Sequence, residues 1–388
     1  MLFIVSESLG RTQTVIKVAR ELSLNLSPFR GAASLRKLLK GESRRLVLAT
    51  EADLDQDGLE AITDTADSAP FGLIVVADRE ALRDSDKASI IDTIAELENV
   101  AWLPVEHDVD SLSHAARECR RKMLRVSRRE LEDAIINSEL VVKYQPKVER
   151  TDGYEWLTKE AEALVRWRHP EHGLLGPLEF LPEVEEFNLI GPVSEYVLRE
   201  TVDQLVLWRE QGLKLNACIN LASSLLIDPE LPDLYARIVR DKGLECASFT
   251  FEVAEQDVLN SEAPHLRVLN RLRALGFRIS LDDFGVAASS LSTFEQLPVD
   301  EIKIHRAAVV RARENPVAQK VLAAVTGLAH KLGISVCAEG VEDPQTLEFL
   351  KTIECDKMQG FLISEAVMPD IIRRVYAPKP ENSEEEVA

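Results

Sequence analysis

Between residue 140 and about residue 369, eight short apolar segments each carry, at or near their end, a side chain able to bind a metal or a phosphate. The first four are "VVKYQPKV" with Gln145, "EALVRW" with Glu162 and Arg166, "ACINLA" with Asn220, and "FTFEVAE" with Glu252 and Glu255. The others are "FRISLDDFG" with Asp282 and Asp283, "EIKIHR" with Lys303 and His305, "SVCAEGVE" with Glu339 and Glu342, and "CDKMQG" with Gln359. Glu162, Asn220, Glu252 and Asp282 offer oxygen alone, a donor set that suits Mg2+, Mn2+ or Ca2+ better than zinc. Carboxylates brought together repel one another unless a cation lies between them. Arg166 and Lys303 add positive charge, which points to an anionic substrate, most naturally a phosphate ester handled by one or two metal ions.

Such residues act together only if the fold brings them to one place. Apolar segments of strand length separated by helical lengths predict a TIM-like (β/α)8 barrel, in which polar residues at strand ends converge on one rim. One polar residue at one strand end carries little meaning. Recurrence at every segment does.

The first 110 residues read differently. "LFIV", "RRLVLAT", "FGLIVVAD" and "VAWLPV" are uninterrupted apolar runs, as expected of strands buried on both faces. "TQTVIKVARELS", "AASLRKLLKG", "GLEAITDTADSA" and "DKASIIDTIAELE" have helical spacing. The alternation predicts a small doubly wound α/β domain over residues 1–110. Its order resembles the receiver domain of two-component systems, which uses acidic residues after the first strand, an acceptor Asp after the third and a Lys after the fifth. Here those places hold Ser6-Glu7-Ser8, Thr50-Glu51 and Pro104-Val105, which implies a pseudo-receiver. Residues 111–137 contain no Gly or Pro and predict a linker helix, whose apolar stripe (Leu112, Ala115, Cys119, Met123, Val126, Leu131) serves its own core or a homodimer contact. The barrel is expected over 138–376 and a disordered acidic tail over 377–388.

A formal charge of -20 argues against non-specific binding to nucleic acid or anionic membranes. The five cysteines form no C-x-x-C pair and are expected to be reduced core thiols. With neither a signal peptide nor a transmembrane run in view, a cytoplasmic location is expected.

Residues 140 to about 369 resemble the EAL family, named for the tripeptide Glu162-Ala163-Leu164. The tripeptide alone is weak, but "YQP", "EALVRWRHPEHG", "FLPEVEE", "NLA", "FEVAE", "LDDFG", "LPVDEIKI", "LAHKLGISVCAEGVE" and "CDKMQGF" follow in family order. The resemblance implies a barrel that binds cyclic di-GMP, which active members hydrolyse to pGpG with Mg2+ or Mn2+. It implies that Glu162, Asn220, Glu252 and Asp282 hold one metal, that Asp282 bridges to a second, and that Asp283 and Glu339 support it. It also implies that Gln145 and Arg166 contact ligand phosphates and that Lys303 orients the attacking water. The same resemblance implies that Glu342 and Gln359 complete the rim and that Glu255 anchors the loop after the fifth motif.

Two departures fall in one sub-site. Active members have Asp two residues after the lysine, where this chain has His305; strand periodicity predicts that Lys303 and His305 face the same way. The loop after "DDFG" usually begins Thr-Gly, and here it begins Val286-Ala287. The expectation is a cyclic di-GMP receptor with weak or lost hydrolysis. The alternatives are an active phosphodiesterase in which His305 serves as ligand, and a structural module with an empty pocket.

Overall fold

The structure is a computed structural model that describes residues 2–9, 12–22, 24–39, 45–53, 55, 57, 58, 60–62, 71–77, 94, 99–123, 126–151, 155–255, 263–284 and 298–376. Val286, Ala287, the acidic tail and most of the helices expected over 58–69 and 86–98 lie outside the described residues. The chain divides into two compact units, residues 1–139 with 167–187, and residues 140–166 with 188–388.

The first unit is built on strands β1 (Leu2–Ser6), β2 (Asn25–Phe29), β3 (Arg45–Thr50), β4 (Phe71–Val76) and β5 (Val100–Leu103). They form one parallel sheet in the order β2-β1-β3-β4-β5, the doubly wound arrangement expected of a receiver-like domain. Alternate residues serve opposite faces: Ile4, Val47 and Val75 enter one core, Phe3, Leu46, Leu48 and Ile74 the other. Burial on both sides explains why these strands lack polar alternation. Strand β2 was hidden by Ser27 and Pro28 in "NLSPF", and it stands at the sheet edge, where proline is tolerated.

Helices α1 (Gln13–Glu21) and α2 (Gly31–Leu39) belong to this unit, as do α3 (Val109–Met123) and α4 (Arg128–Ile136). The continuous helix expected over 111–137 is therefore two. A capping box starts the second, with Glu130 N–H donating to Ser127 Oγ (3.3 Å) and Ser127 N–H to Glu130 Oε2 (2.8 Å). Leu112, Ala115 and Cys119 are buried in the unit's own core. Residues 167–187 contribute β8 (Gly173–Leu175) and α5 (Pro177–Glu186), and Glu179 of α5 meets Arg120 of α3 at 2.8 Å, both almost wholly buried.

The second unit is a closed barrel of β6 (Leu140–Arg150), β7 (Trp156–His169), β9 (Asn216–Asn220), β10 (Phe249–Ala254), β11 (Arg278–Phe284), β12 (Glu301–Ile304), β13 (Ser335–Ala338) and β14 (Lys357–Met358). The order runs β6-β14-β13-β12-β11-β10-β9-β7, and β6 pairs with β7 to close the ring. Helices α6 (Ile190–Glu210), α7 (Leu231–Asp241), α8 (Ala263–Ala274), α9 (Arg306–Glu314), α10 (Pro316–Lys331), α11 (Pro344–Thr352) and α12 (Pro369–Tyr376) complete it. One strand departs from the all-parallel plan: β6 is antiparallel to β14, with Val148 opposite Met358. β6 brings Gln145 to the rim from its middle, as β7 brings Glu162, whereas Asn220, Glu339 and Gln359 stand at or just past the C-terminal ends of β9, β13 and β14. Among the described residues no helix is long and apolar enough to cross a membrane.

Candidate functional site: a charged barrel mouth

The residue pair Glu162 and Lys303 anchors the mouth. Lys303, on β12, is almost wholly buried, and its Nζ lies 2.8 Å from Glu252 Oε2, 2.7 Å from Glu339 Oε1, 3.2 Å from Asp282 Oδ1 and 3.6 Å from Glu162 Oε2. Burial alone would lower the lysine's pKa, but these carboxylates raise it well above its ordinary value, so the ammonium is retained.

The carboxylates respond unequally. Burial pushes Glu162 up, yet Lys303 and Lys147, with hydrogen bonds from Gln359 and Asn220, hold it down at about 2. For Glu252, burial and the charge of Glu162 and Asp282 prevail over Lys147 and Lys303, and the carboxyl rises to about 7. Burial also raises Asp282 and Glu339, against the pull of Lys303. A set of oxygens this crowded is one that a divalent cation would relieve.

The amides are aligned by hydrogen bonds. Asn220 Nδ2 donates to Glu162 Oε1 (2.9 Å), which leaves the asparagine carbonyl oxygen as its donor to a cation. Gln359 Nε2 donates to Glu162 Oε2 (2.8 Å) and to Gln145 Oε1 (2.9 Å), while Gln145 Nε2 donates to Ser364 O (3.0 Å). The two glutamines and Glu162 thus form one line across the mouth.

Asp282, Asp283 and Glu339 offer carboxylate oxygens that all lie within 4.8 Å of one another. Adjacent strand residues normally point to opposite faces, and the backbone here resolves that conflict. Asp283 has φ +60, the β11–β12 register shifts between Leu281 and Phe284, and Asp283 N–H donates to Asp282 Oδ1 at 2.9 Å.

His305 stands just past its strand. Strand β12 ends at Ile304, and His305 is the N-cap of α9, its Nδ1 accepting from Ala307 N–H at 3.1 Å. Its side chain is 34% exposed, against 1% for Lys303. It still approaches the acidic group, with Nε2 3.7 Å from Asp283 Oδ1. Of the other expected site residues, Arg166 donates to Val165 O at 2.8 Å, Glu342 pairs with Arg306 at 2.9 Å, and Glu255 is buried just past the end of β10.

Sequence reasoning missed a second layer beneath the rim. Lys147 Nζ, fully buried, lies 2.6 Å from Glu252 Oε1 and 3.0 Å from Cys218 Sγ. Lys357 bridges Glu160 (2.8 Å) and Glu301 (2.7 Å), and Thr250 and Ser280 donate to those two carboxylates. The signal was the strand period of two. Glu160, Cys218, Thr250, Ser280, Glu301, Cys337 and Lys357 each precede a rim residue by two, and Lys147 follows Gln145 by two because β6 runs the other way.

Comparison with known proteins agrees with this architecture. An uncharacterized signaling protein of Caulobacter vibrioides is 34% identical over 279 residues, 68% of this chain and 34% of the relative. Cyclic di-GMP phosphodiesterase PdeR of Escherichia coli K12 is 32% identical over 246 residues, 63% of this chain and 37% of PdeR. This chain thus spans about a third of the length of these curated relatives. The solved structure of the PaMucR phosphodiesterase in complex with c-di-GMP, MucR being a Pseudomonas aeruginosa protein, aligns with a TM-score of 0.58 at 33% identity, covering 63% of this chain and 98% of that one. Residues 128–366, well over half of the chain, match the EAL domain, and the chain therefore belongs to the EAL domain family.

Proposed function

We propose that this chain is a cyclic di-GMP signalling protein that binds the dinucleotide at the barrel mouth together with Mg2+ or Mn2+, and hydrolyses it weakly or not at all. The observation that carries the reading is the His305 ring. Its Nδ1 accepts a backbone N–H, so the proton of the neutral imidazole sits on Nε2, the nitrogen nearer Asp283. A ring held this way presents a donor, not a lone pair, toward the acidic group. At the same time Glu162, Asn220, Glu252 and Asp282 offer oxygen donors of the kind a hard cation takes, here gathered around Lys303 Nζ, and the carboxylate oxygens of Asp282, Asp283 and Glu339 lie within 4.8 Å of one another.

When bound, the divalent ion neutralises the clustered carboxylates and draws electron density from the phosphate oxygens. The protein's own residues do the rest. Lys303 and Arg166 attract the phosphodiester, Gln145, Gln359 and Glu342 border it, and Lys303 is the group placed to orient an attacking water. By the family resemblance Glu255 is assigned to anchoring the loop after the fifth motif. Residues 1–110 are read as a receiver-like domain without a phosphoryl acceptor, and residues 111–137 as the path by which occupancy of the barrel domain (138–376) is relayed. Self-association through the barrel belongs to the same reading.

The second reading is an active phosphodiesterase. It is favoured by the intact contacts of Lys303 with Glu339 and Asp282. Purified protein with labelled cyclic di-GMP and Mg2+ or Mn2+ separates the two when binding and pGpG are followed together. Turnover of about 1 per second or faster, the low end of ordinary enzymes, would overturn the receptor reading. Binding without product would overturn the enzyme reading, and no binding would overturn both.

A further inference from the structure

We infer that Arg306 is a positioning residue for the acidic group at the barrel mouth, acting by clamping the turn that carries Glu339. The inference rests on the metal-binding reading above and adds a residue that it does not use.

The turn from Glu339 to Glu342 follows β13, and Arg306 is the first residue of α9, immediately after the His305 cap. Two independent features join them. Arg306 Nη2 lies 2.9 Å from Glu342 Oε1, and both side chains are about three-quarters buried, so the pair is shielded more than an ordinary surface pair. The aliphatic stem of Arg306 also lies against Gly340, where a Cβ would run into its Cβ, Cγ and Cδ atoms. Gly340 has φ +67, a conformation that glycine adopts without penalty. The turn is therefore gripped at two points: by the guanidinium at Glu342 and by the stem at Gly340.

Glu339 lies just before this grip, with Oε1 2.7 Å from Lys303 and a carboxylate oxygen within 4.8 Å of those of Asp282 and Asp283. A carboxylate on a loose turn samples many positions. One whose following residues are pinned does not. The fixed grip holds Glu339 in register with its two partners, as outer groups do for the ligands of metal sites.

For Arg306 charge and positioning predict opposite results, which makes that variant the decisive one. Removing a cation near an acidic cluster would, by charge alone, strengthen binding of another cation. Removing a clamp should weaken it. Mn2+ binding to the full chain, followed by electron paramagnetic resonance at a temperature well below each protein's melting transition, is expected to be about tenfold or more weaker in Arg306→Met than in the unaltered chain. Glu342→Gln should lose a similar factor, and the double variant no more than the larger single loss, because both remove one grip. Unchanged or tighter Mn2+ binding by Arg306→Met, or losses that multiply in the double variant, would overturn the clamp alone. Absence of Mn2+ binding by the unaltered chain would overturn the metal reading and the clamp with it.

Discussion

Lys303 and Glu252 meet at 2.8 Å in the barrel interior, each side chain no more than 1% exposed, and Glu252 turns its other oxygen to Lys147 at 2.6 Å. One carboxylate thus links the rim to the layer beneath it. Charges shielded this far must be matched, because removing one member leaves the other buried and unpaired.

Lys303→Met should therefore destabilise the metal-free protein by about 3 kcal/mol or more, since Glu252, Glu339 and Asp282 would lose their shared cation. Urea denaturation reads the loss. Added Mn2+ should restore more stability to the variant than it adds to the unaltered chain.

Acid should act through Glu160. Burial alone would raise this carboxyl, but Lys357 and Lys147 hold it at about 2, below its ordinary 4.5. Its unfolded form therefore takes up a proton first, and its contribution to stability is complete above pH 4.5 and lost as the pH falls toward 2. Glu160→Gln should be about 3 kcal/mol less stable at neutral pH. The gap should narrow across that acidic window in denaturation curves taken at stepped pH.

His305 offers a way to tell a cap from a ligand. Replacing a capping side chain by Ala costs about 1 kcal/mol, whereas Asp is among the preferred caps. His305→Ala should lower the unfolding free energy by about that amount and His305→Asp should not. If hydrolysis is limited by this sub-site, His305→Asp combined with Val286→Thr and Ala287→Gly should form pGpG where the unaltered chain does not; an unchanged product assay would sink that explanation.

Gly360 follows Gln359, and a Cβ there would meet the backbone of Val341. Backbone cannot yield as a flexible side chain can, so Gly360→Ala should cost about 3 kcal/mol. The same change should displace Gln359 from Glu162 and weaken cyclic di-GMP binding, measured by calorimetry.

Much of this was legible in the residues, and the gaps have physical causes. The eight polar strand ends stood out because metal-binding side chains rarely follow apolar runs so regularly, and they do border one barrel mouth. The layer beneath was harder to see, because Glu160, Glu301 and Lys357 are charges at positions where a barrel interior is ordinarily apolar. Ser127 and Glu130 carried a readable S-x-x-E start signal that the uninterrupted helical composition of 111–137 masked. The orientation of His305 depends on where β12 stops, and strand ends are set by tertiary pairing.

The antiparallel contact of β6 with β14 joins residues more than two hundred positions apart in the chain, Val148 with Met358. Pairing at such separation is slow, since chain entropy must be lost before the contact rewards it. Ring closure should accordingly come late in folding, and with it the meeting of Gln145 with Gln359. An interrupted or clipped chain would then lack the last side of the mouth, so that competence to hold a nucleotide would itself report that the polypeptide has finished folding.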